Sequence, residues 1–258
     1  MQPVSRFPAK LLPLLPVLVF LAGWEASARL FFADTAVFPP FSVVCEQFFH
    51  MVAEGVLLRH FLHSLLRVLA GFFLGAAAGL LAGALMGWKK SLRLAFHPIF
   101  SILYPIPALG WLPLFLIWFG IGELLPVAIV FVCAFFPILY NTISGISSVD
   151  GIYPRAAQTL GASNTKILLT VLLPMALPHI FTGLRLEAGL AWRVIIAAEM
   201  VAIPTGIGAL MMKAESLIRI DVIIVCLLLL ALMCFAFESL FLFLERRLTG
   251  KWIPHAGN

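Results

Sequence analysis

Apolar runs of roughly 20 residues recur along this chain, and a hydrocarbon slab about 30 Å thick demands that length of a helix. They extend from Leu11 to Phe32, His63 to Trp88, Ile99 to Phe119, Leu124 to Gly145, Leu177 to Ile203 and Val222 to Leu244. Only 11% of the 258 residues are charged, against roughly 25% in a soluble domain. At membrane depth no water satisfies the backbone, so spanning structures are helices or closed barrels. Barrel strands would alternate in hydropathy, and these runs do not. The sequence therefore predicts an all-α membrane protein with about six transmembrane helices.

The first run has a rival reading. Arg6 and Lys10 precede it and Ala26-Ser27-Ala28 is a small-x-small site, as in a cleaved signal peptide. Apolar character resumes at Leu30-Phe31-Phe32, however, and Glu25 and Arg29 stand four apart, able to neutralise each other. A retained helix is the expectation.

The net charge of +5 reflects orientation in a membrane, because the basic residues cluster between runs. With the N-terminus inside, Arg6, Lys10, Lys89, Lys90, Arg93, Arg155, Lys166, Arg246, Arg247 and Lys251 fall on the cytoplasmic side. Arg29, Arg59, Lys213 and Arg219 fall opposite. Both termini are thus expected in the cytoplasm, and no nucleic-acid partner is implied. Cys45, Cys133, Cys226 and Cys234 form no CxxC, and His60 and His63 have no third ligand near them in sequence, so neither disulfides nor a metal centre are expected.

Within the second run Gly71, Gly75, Gly79 and Gly83 recur every four residues, a seam on which another backbone can approach closely. The third carries Pro105, Pro107 and Pro113, preceded by Pro98. Such a span is either a bent helix at a crowded interface or the lining of a pathway. The fifth contains Arg185, Glu187, Arg193 and Glu199. On a helix Arg185 and Glu199 lie within about 40° of each other and Arg193 about 80° from Arg185, while Glu187 points elsewhere. The stripe suggests a hydrophilic passage or inter-helix ion pairs. Arg185, Trp192, Arg193 and Glu199 are the candidate pathway residues, with Arg193 the foremost candidate for facing an anion. Arg67 is expected to snorkel, and Glu238 to pair with a base on another helix.

Between the fourth and fifth runs lies the segment Asp150 to Pro174, with good helix formers on both sides of Gly161. It reads as two short helices at the membrane surface, the first opening near Pro154. Arg155-Ala156-Ala157, three residues, Gly161, nine residues and Val171-Leu172-Leu173-Pro174 resemble the EAA loop of ABC importer permeases. Arg155 replaces the usual Glu of that pattern and Val171 the usual Ile. Pro105-Ile106-Pro107, Trp111-Leu112-Pro113-Leu114, Trp118 to Glu123, Phe136-Pro137 and Thr182-Gly183-Leu184-Arg185 are similar to the sulfonate, taurine and nitrate branch. That branch also includes permeases for bicarbonate and for thiamine-precursor pyrimidines.

The resemblance implies a type I ABC importer permease fold: residues 1–62 as an N-terminal helix and periplasmic segment, and 63–258 as the transmembrane domain, with the EAA-type loop at 150–174. It implies that Arg155, Ala156, Ala157, Leu160, Gly161, Ala162 and Pro174 couple the chain to an ATPase subunit. It further implies two such ATPase subunits, which bind ATP and Mg, a second permease copy, a periplasmic or lipid-anchored solute-binding protein, and location in a bacterial inner membrane. The solute would be small and anionic, or alternatively a thiamine-precursor pyrimidine or another small organic molecule. The chain has no GxxxxGK[ST] phosphate loop, so the resemblance places ATP hydrolysis on the partner and no cofactor here. An ion-coupled transporter would need acid or His relays in several spans, and a membrane enzyme clustered catalytic groups. Neither pattern is present.

Overall fold

The computed structural model describes residues 15–31 and 37–249. Arg6, Lys10, Lys251 and the ends of the first run at Leu11 and Phe32 lie outside the described residues. Helices α1 (Leu15–Phe31) and α2 (Phe41–Ala53) lead into α3 (Val56–Trp88). Glu25 accepts from Arg29 at 2.7 Å and from the Ser42 backbone N–H at 3.0 Å. Trp24 Nε1 donates to the Pro39 carbonyl at 3.1 Å. The expected Glu25–Arg29 pair therefore also fastens the start of α2 to α1.

The long helix α3 begins at Val56 rather than His63, so a division at residues 62 and 63 falls inside it. It is followed by α4 (Lys90–Leu103), a short 3-10 turn (Ala108–Trp111) and α5 (Leu112–Phe119). The third span is not one bent helix: α4 and the 108–119 segment are inclined by 86°. Pro105 and Pro107 supply no N–H, and the chain crosses the break on a single turn bond, Ile106 N–H to Leu103 carbonyl, at 3.1 Å.

Beyond it come α6 (Leu124–Ser147), α7 (Ile152–Thr159), α8 (Asn164–Ile167), α9 (Leu173–Ala202), α10 (Ile207–Ser216) and α11 (Ile220–Thr249). A π-type turn, Leu168–Leu172, joins α8 to α9 without interruption. Asn164–Ala202 is therefore one 39-residue rod, and the second loop helix is the foot of the fifth span. The widened turn sits just before Pro174, whose missing N–H leaves a carbonyl one turn back without its usual donor. Among the described residues α3, α6, the 164–202 rod and α11 are long and apolar enough to cross a bilayer, and the bent pair makes up to five. The first expected span corresponds to α1, described over 17 residues.

The glycine seam sets the closest approach in the bundle. A Cβ at Gly75 would lie 2.6 Å from the Phe131 carbonyl oxygen, at Gly79 2.6 Å from that of Phe135, and at Gly83 2.7 Å from Thr142 Cβ. Here α3 and α6 touch backbone to backbone, as four-residue spacing of small residues allows. Helix α9 packs on α6 from one side and α11 from the other. Trp192 fills the core beside Phe61 (centroids 6.2 Å, stacked) and Phe237 (5.4 Å, edge-on).

Gly75→Leu should lower thermal stability in detergent, because overpacking typically costs about 1–3 kcal/mol. Gly23→Leu, with nothing within 4 Å of the added Cβ, should leave the melting temperature unchanged.

Candidate functional site

The segment between α6 and α9 forms a stiff elbow. Helix α7 ends in a reciprocal cap: the Gly161 N–H reaches the Gln158 carbonyl at 2.9 Å and the Ala162 N–H the Ala157 carbonyl at 3.0 Å. This pairing requires a left-handed residue at its centre, and Gly161 has φ +78°. Ser163 then caps the rod, its Oγ accepting from Lys166 N–H at 3.4 Å. Ala157 and Ala162 pack on a small core of Ala84, Ile146, Ile167, Leu168, Leu172 and Ala176, which ties the elbow to α3, α6 and the rod. The opposite side is bare. No residue of α7 is buried, Arg155 and Ala156 are exposed, and Ile152, Tyr153 and Leu160 are 67%, 53% and 88% exposed. Pro174 lies within the rod, half-buried.

The four candidate pathway residues are not brought together. Trp192 is in the core with its Nε1 unpartnered. Arg185 pairs with Glu245 of α11 at 3.3 Å, and Arg193 is exposed beside the Cys234 thiol, with Glu238 a turn further along α11. Glu199 is fully buried in a polar knot. It accepts from Ser64 Oγ at 2.7 and 2.8 Å, from Arg67 Nη1 at 2.8 Å and from the Gly208 N–H at 3.1 Å.

Arg67 does not snorkel. It is 3% exposed and continues to Glu123 at 2.5 and 2.7 Å and to the Thr205 carbonyl at 2.8 Å. The Arg67 guanidinium holds Glu123, in the loop before α6, below the usual carboxylate range. Gly206, at φ +110°, leaves no room for a Cβ against the Glu199 carboxylate, and its N–H donates to His60 Nδ1 at 3.1 Å. The knot pins α3, α9, α10 and the turn before α6 together at the end of the bundle opposite the elbow. Of the two readings for the charged stripe, Arg185 and Glu199 thus follow the ion-pair one.

Sequence reasoning set Glu187 aside, and the structure gives it the most distinctive surroundings. Its carboxylate is 4% exposed and takes a hydrogen bond from the Cys133 thiol at 3.4 Å. It lines a cavity of about 250 Å³ at the break between α4 and α5, walled by Tyr104, Ile106, Cys133, Phe136 and Leu190. The available signals were the proline-broken third span and the helical angle separating Glu187 from the stripe. Among the described residues no group of three or more His, Cys, Asp or Glu could hold a metal ion.

Lipid-length helices, a proline-broken span beside a polar cavity and an exposed elbow define a multi-pass membrane transport subunit. The family described as "Binding-protein-dependent transport system inner membrane component" matches residues 75–250. The chain is 34% identical over 236 residues to the taurine transport system permease protein TauC of Escherichia coli (strain K12), covering 90% of this chain and 86% of that one. It is 32% identical to the putative aliphatic sulfonates transport permease protein SsuC of Bacillus subtilis (strain 168), covering 93% and 86%. An inward-facing structure of the MetNI methionine ABC transporter superposes with a TM-score of 0.60 at 19% identity, covering 72% of this chain and 93% of that one, a likeness of fold. The chain belongs to this family and is the permease subunit of an ABC-type importer, in the sulfonate, taurine and nitrate branch.

Glu199→Ala should destabilise the protein by at least about 1–3 kcal/mol, since it leaves buried donors of Ser64, Arg67 and Gly208 unpaired. Arg219→Ala, which opens a surface pair with Asp221, should cost about 0–1 kcal/mol. Thermal unfolding in detergent distinguishes the two.

Proposed function

We propose that two copies of this chain form a passage through a bacterial inner membrane for a small anionic solute, with both termini cytoplasmic. Two separate ATPase subunits drive it and a binding protein delivers the solute from the opposite side. The chain itself is non-catalytic in this scheme and binds no cofactor. The observation that carries the proposal is the bare apolar side of α7. Ile152, Tyr153 and Leu160 stand exposed on a segment outside the spans, where the chain's own core does not cover them, and such a patch marks a partner surface. Arg155 in place of the family's Glu gives that contact a cation. Arg155, Ala156, Ala157, Leu160, Gly161, Ala162 and Pro174 are assigned the coupling role: closing ATPases push α7, and the capped elbow passes the displacement to the rod.

The passage is assigned to the open side of α9. Leu186, Leu190 and Met200 are exposed along it, and Arg193 is exposed on the same stripe. An arginine facing lipid would be costly, which favours a passage on that side and an anionic group meeting Arg193.

Leu160→Asp should abolish co-purification of the ATPase while insertion and yield persist. Gly161→Val should retain binding of the ATPase but lose ATP-driven uptake in proteoliposomes, because a β-branched residue resists positive φ. Arg193→Gln should lower uptake at least about tenfold, a loss of about 1.4 kcal/mol in transition-state binding. Full uptake in Arg193→Gln would end the anion assignment, and undiminished solute-stimulated ATP hydrolysis in Gly161→Val would end the lever assignment.

A further inference from the structure

We infer that the groove between α3 and α4, at the elbow end of the bundle, binds an anionic phospholipid, with acyl chain in the groove and phosphate among Lys89, Lys90 and Arg93. Binding follows from the membrane-spanning helices alone; only its effect on the elbow rests on the importer reading.

The groove has about 250 Å³ of space and is lined by Ala82, Leu85, Met86, Leu92, Phe96 and Phe100. Each of these side chains is apolar. Met86 is 3% exposed and packs on Leu139 and Ile143, whereas Leu85 and Phe96 stay 44% and 45% exposed. The chain itself therefore leaves the groove open. Leu92, Phe96 and Phe100 recur every four residues, which keeps them on one face of α4.

An open apolar surface on a spanning helix accepts hydrocarbon tails of any lipid. The selective element is the charge at its head. The two walls meet at Lys89, which ends α3 and precedes α4. It stands one turn before Leu92, and its carbonyl accepts from the Arg93 N–H at 3.1 Å. Lys89 and Lys90 are exposed, and Lys89 Nζ lies 5.6 Å from the Trp88 ring centroid. Arg93 Nη1 donates to Ser147 Oγ at 3.0 Å, a neutral partner that leaves the charge and the remaining donors of the guanidinium available. Among the described residues none of the three cations pairs with an acid. Uncompensated cations at the head of an apolar groove match a phosphodiester carried on hydrocarbon chains. A second copy of this chain, with a net charge of +5, would bring an excess of the same sign.

The site is mechanically joined to the elbow. Ser147, the partner of Arg93, is the last residue of α6. Trp88 packs on the core of Ala84, Ile146 and Ile167 that also holds Ala157 and Ala162. A phosphate shared by Lys89, Lys90 and Arg93 ties the α3–α4 turn to the end of α6, and so stiffens the base against which α7 is pushed.

Native mass spectrometry of the complete importer in detergent, titrated with phosphatidylglycerol, phosphatidylcholine or glycerol phosphate, tests the binding. Phosphatidylglycerol should bind at least about tenfold more tightly than phosphatidylcholine, because each Lys or Arg near an anionic headgroup adds several-fold. Glycerol phosphate, a headgroup without chains, should not displace it. The combined variant Lys89→Gln, Lys90→Gln, Arg93→Gln should lose the preference, and Lys89→Arg with Lys90→Arg should keep it. Leu85→Trp fills the groove and leaves every cation in place; it should weaken phosphatidylglycerol at least about tenfold, the loss of a few buried methylenes. That variant keeps the test decisive if the neutralised turn inserts poorly. Equal binding of the two lipids, full displacement by glycerol phosphate, or undiminished phosphatidylglycerol binding in the neutralised or the Leu85→Trp variant would each overturn the inference. So would loss of a second permease from the Leu85→Trp complex, or of the ATPase from the neutralised one, since either assigns the surface to protein. Bound phosphatidylglycerol should also slow amide hydrogen exchange in residues 148–163 at least about twofold, and not in the neutralised variant. Exchange unchanged by bound lipid would overturn the bracing of the elbow. Absence of ATP-driven uptake with lipid selectivity intact would count against the proposed transport scheme and not against the lipid site.

Discussion

A bilayer offers no hydrogen-bonding partner to a backbone, and every large feature of this chain answers to that constraint. Helices satisfy it within one segment, which is why α3, α6, the 164–202 rod and α11 run unbroken for 24 to 39 residues. Where the constraint is relaxed, the chain has placed prolines. The 86° break between α4 and the 108–119 segment is such a place, and beside it lies a cavity whose lining includes Cys133 of α6 and Glu187 of α9. Irregular backbone at depth is tolerable only against protein or a wet cavity, so the break and the cavity are two sides of one structural solution.

Lipid also removes the ordinary hydrophobic reason for helices to associate. Contact must then come from close packing and polar bonds, and the chain divides these between its two ends and its middle. The α3–α6 seam brings backbones within reach of each other through Gly71, Gly75, Gly79 and Gly83. The Arg67–Glu199–Glu123 knot locks the end remote from the elbow. Breaking such a buried pair is far costlier than its net worth suggests, so the knot fixes relative helix positions more than it adds stability.

Periodicity and spacing made much of this legible. The glycine seam, the Glu25–Arg29 pair and the break at Gly161 were readable because each depends on residues within a turn or two. What escaped depended on distant neighbours. Arg67 read as a snorkelling cation because its partners stand 56 and 132 residues away. The wheel correctly separated Glu187 from Arg185 and Glu199, yet it could not say that α6 and the proline break would enclose it. Nor could it place Trp192 against Phe61 and Phe237 instead of in a passage. The second loop helix was read as separate from the fifth span, which was begun at Leu177, whereas a π-type turn carries the helix past Pro174.

That continuity bears on mechanism. The rod that starts at Asn164, directly after the capped elbow, is the same rod that carries Glu187, Leu190 and Arg193. Its foot is packed against α3 and α6 through Ala84, Ile146 and Ile167, and its far end is held by the Glu199 knot. A displacement applied at α7 therefore cannot be absorbed by a flexible joint at the membrane surface. Under the proposed coupling it would rotate or slide the rod about its pinned end, carrying the Glu187 carboxylate with it while Tyr104 and Pro105, on the broken span, need not move. In the proposed scheme, coupling between the elbow and the Glu187 cavity would need no chain of intermediates, only the one stiff helix that joins them.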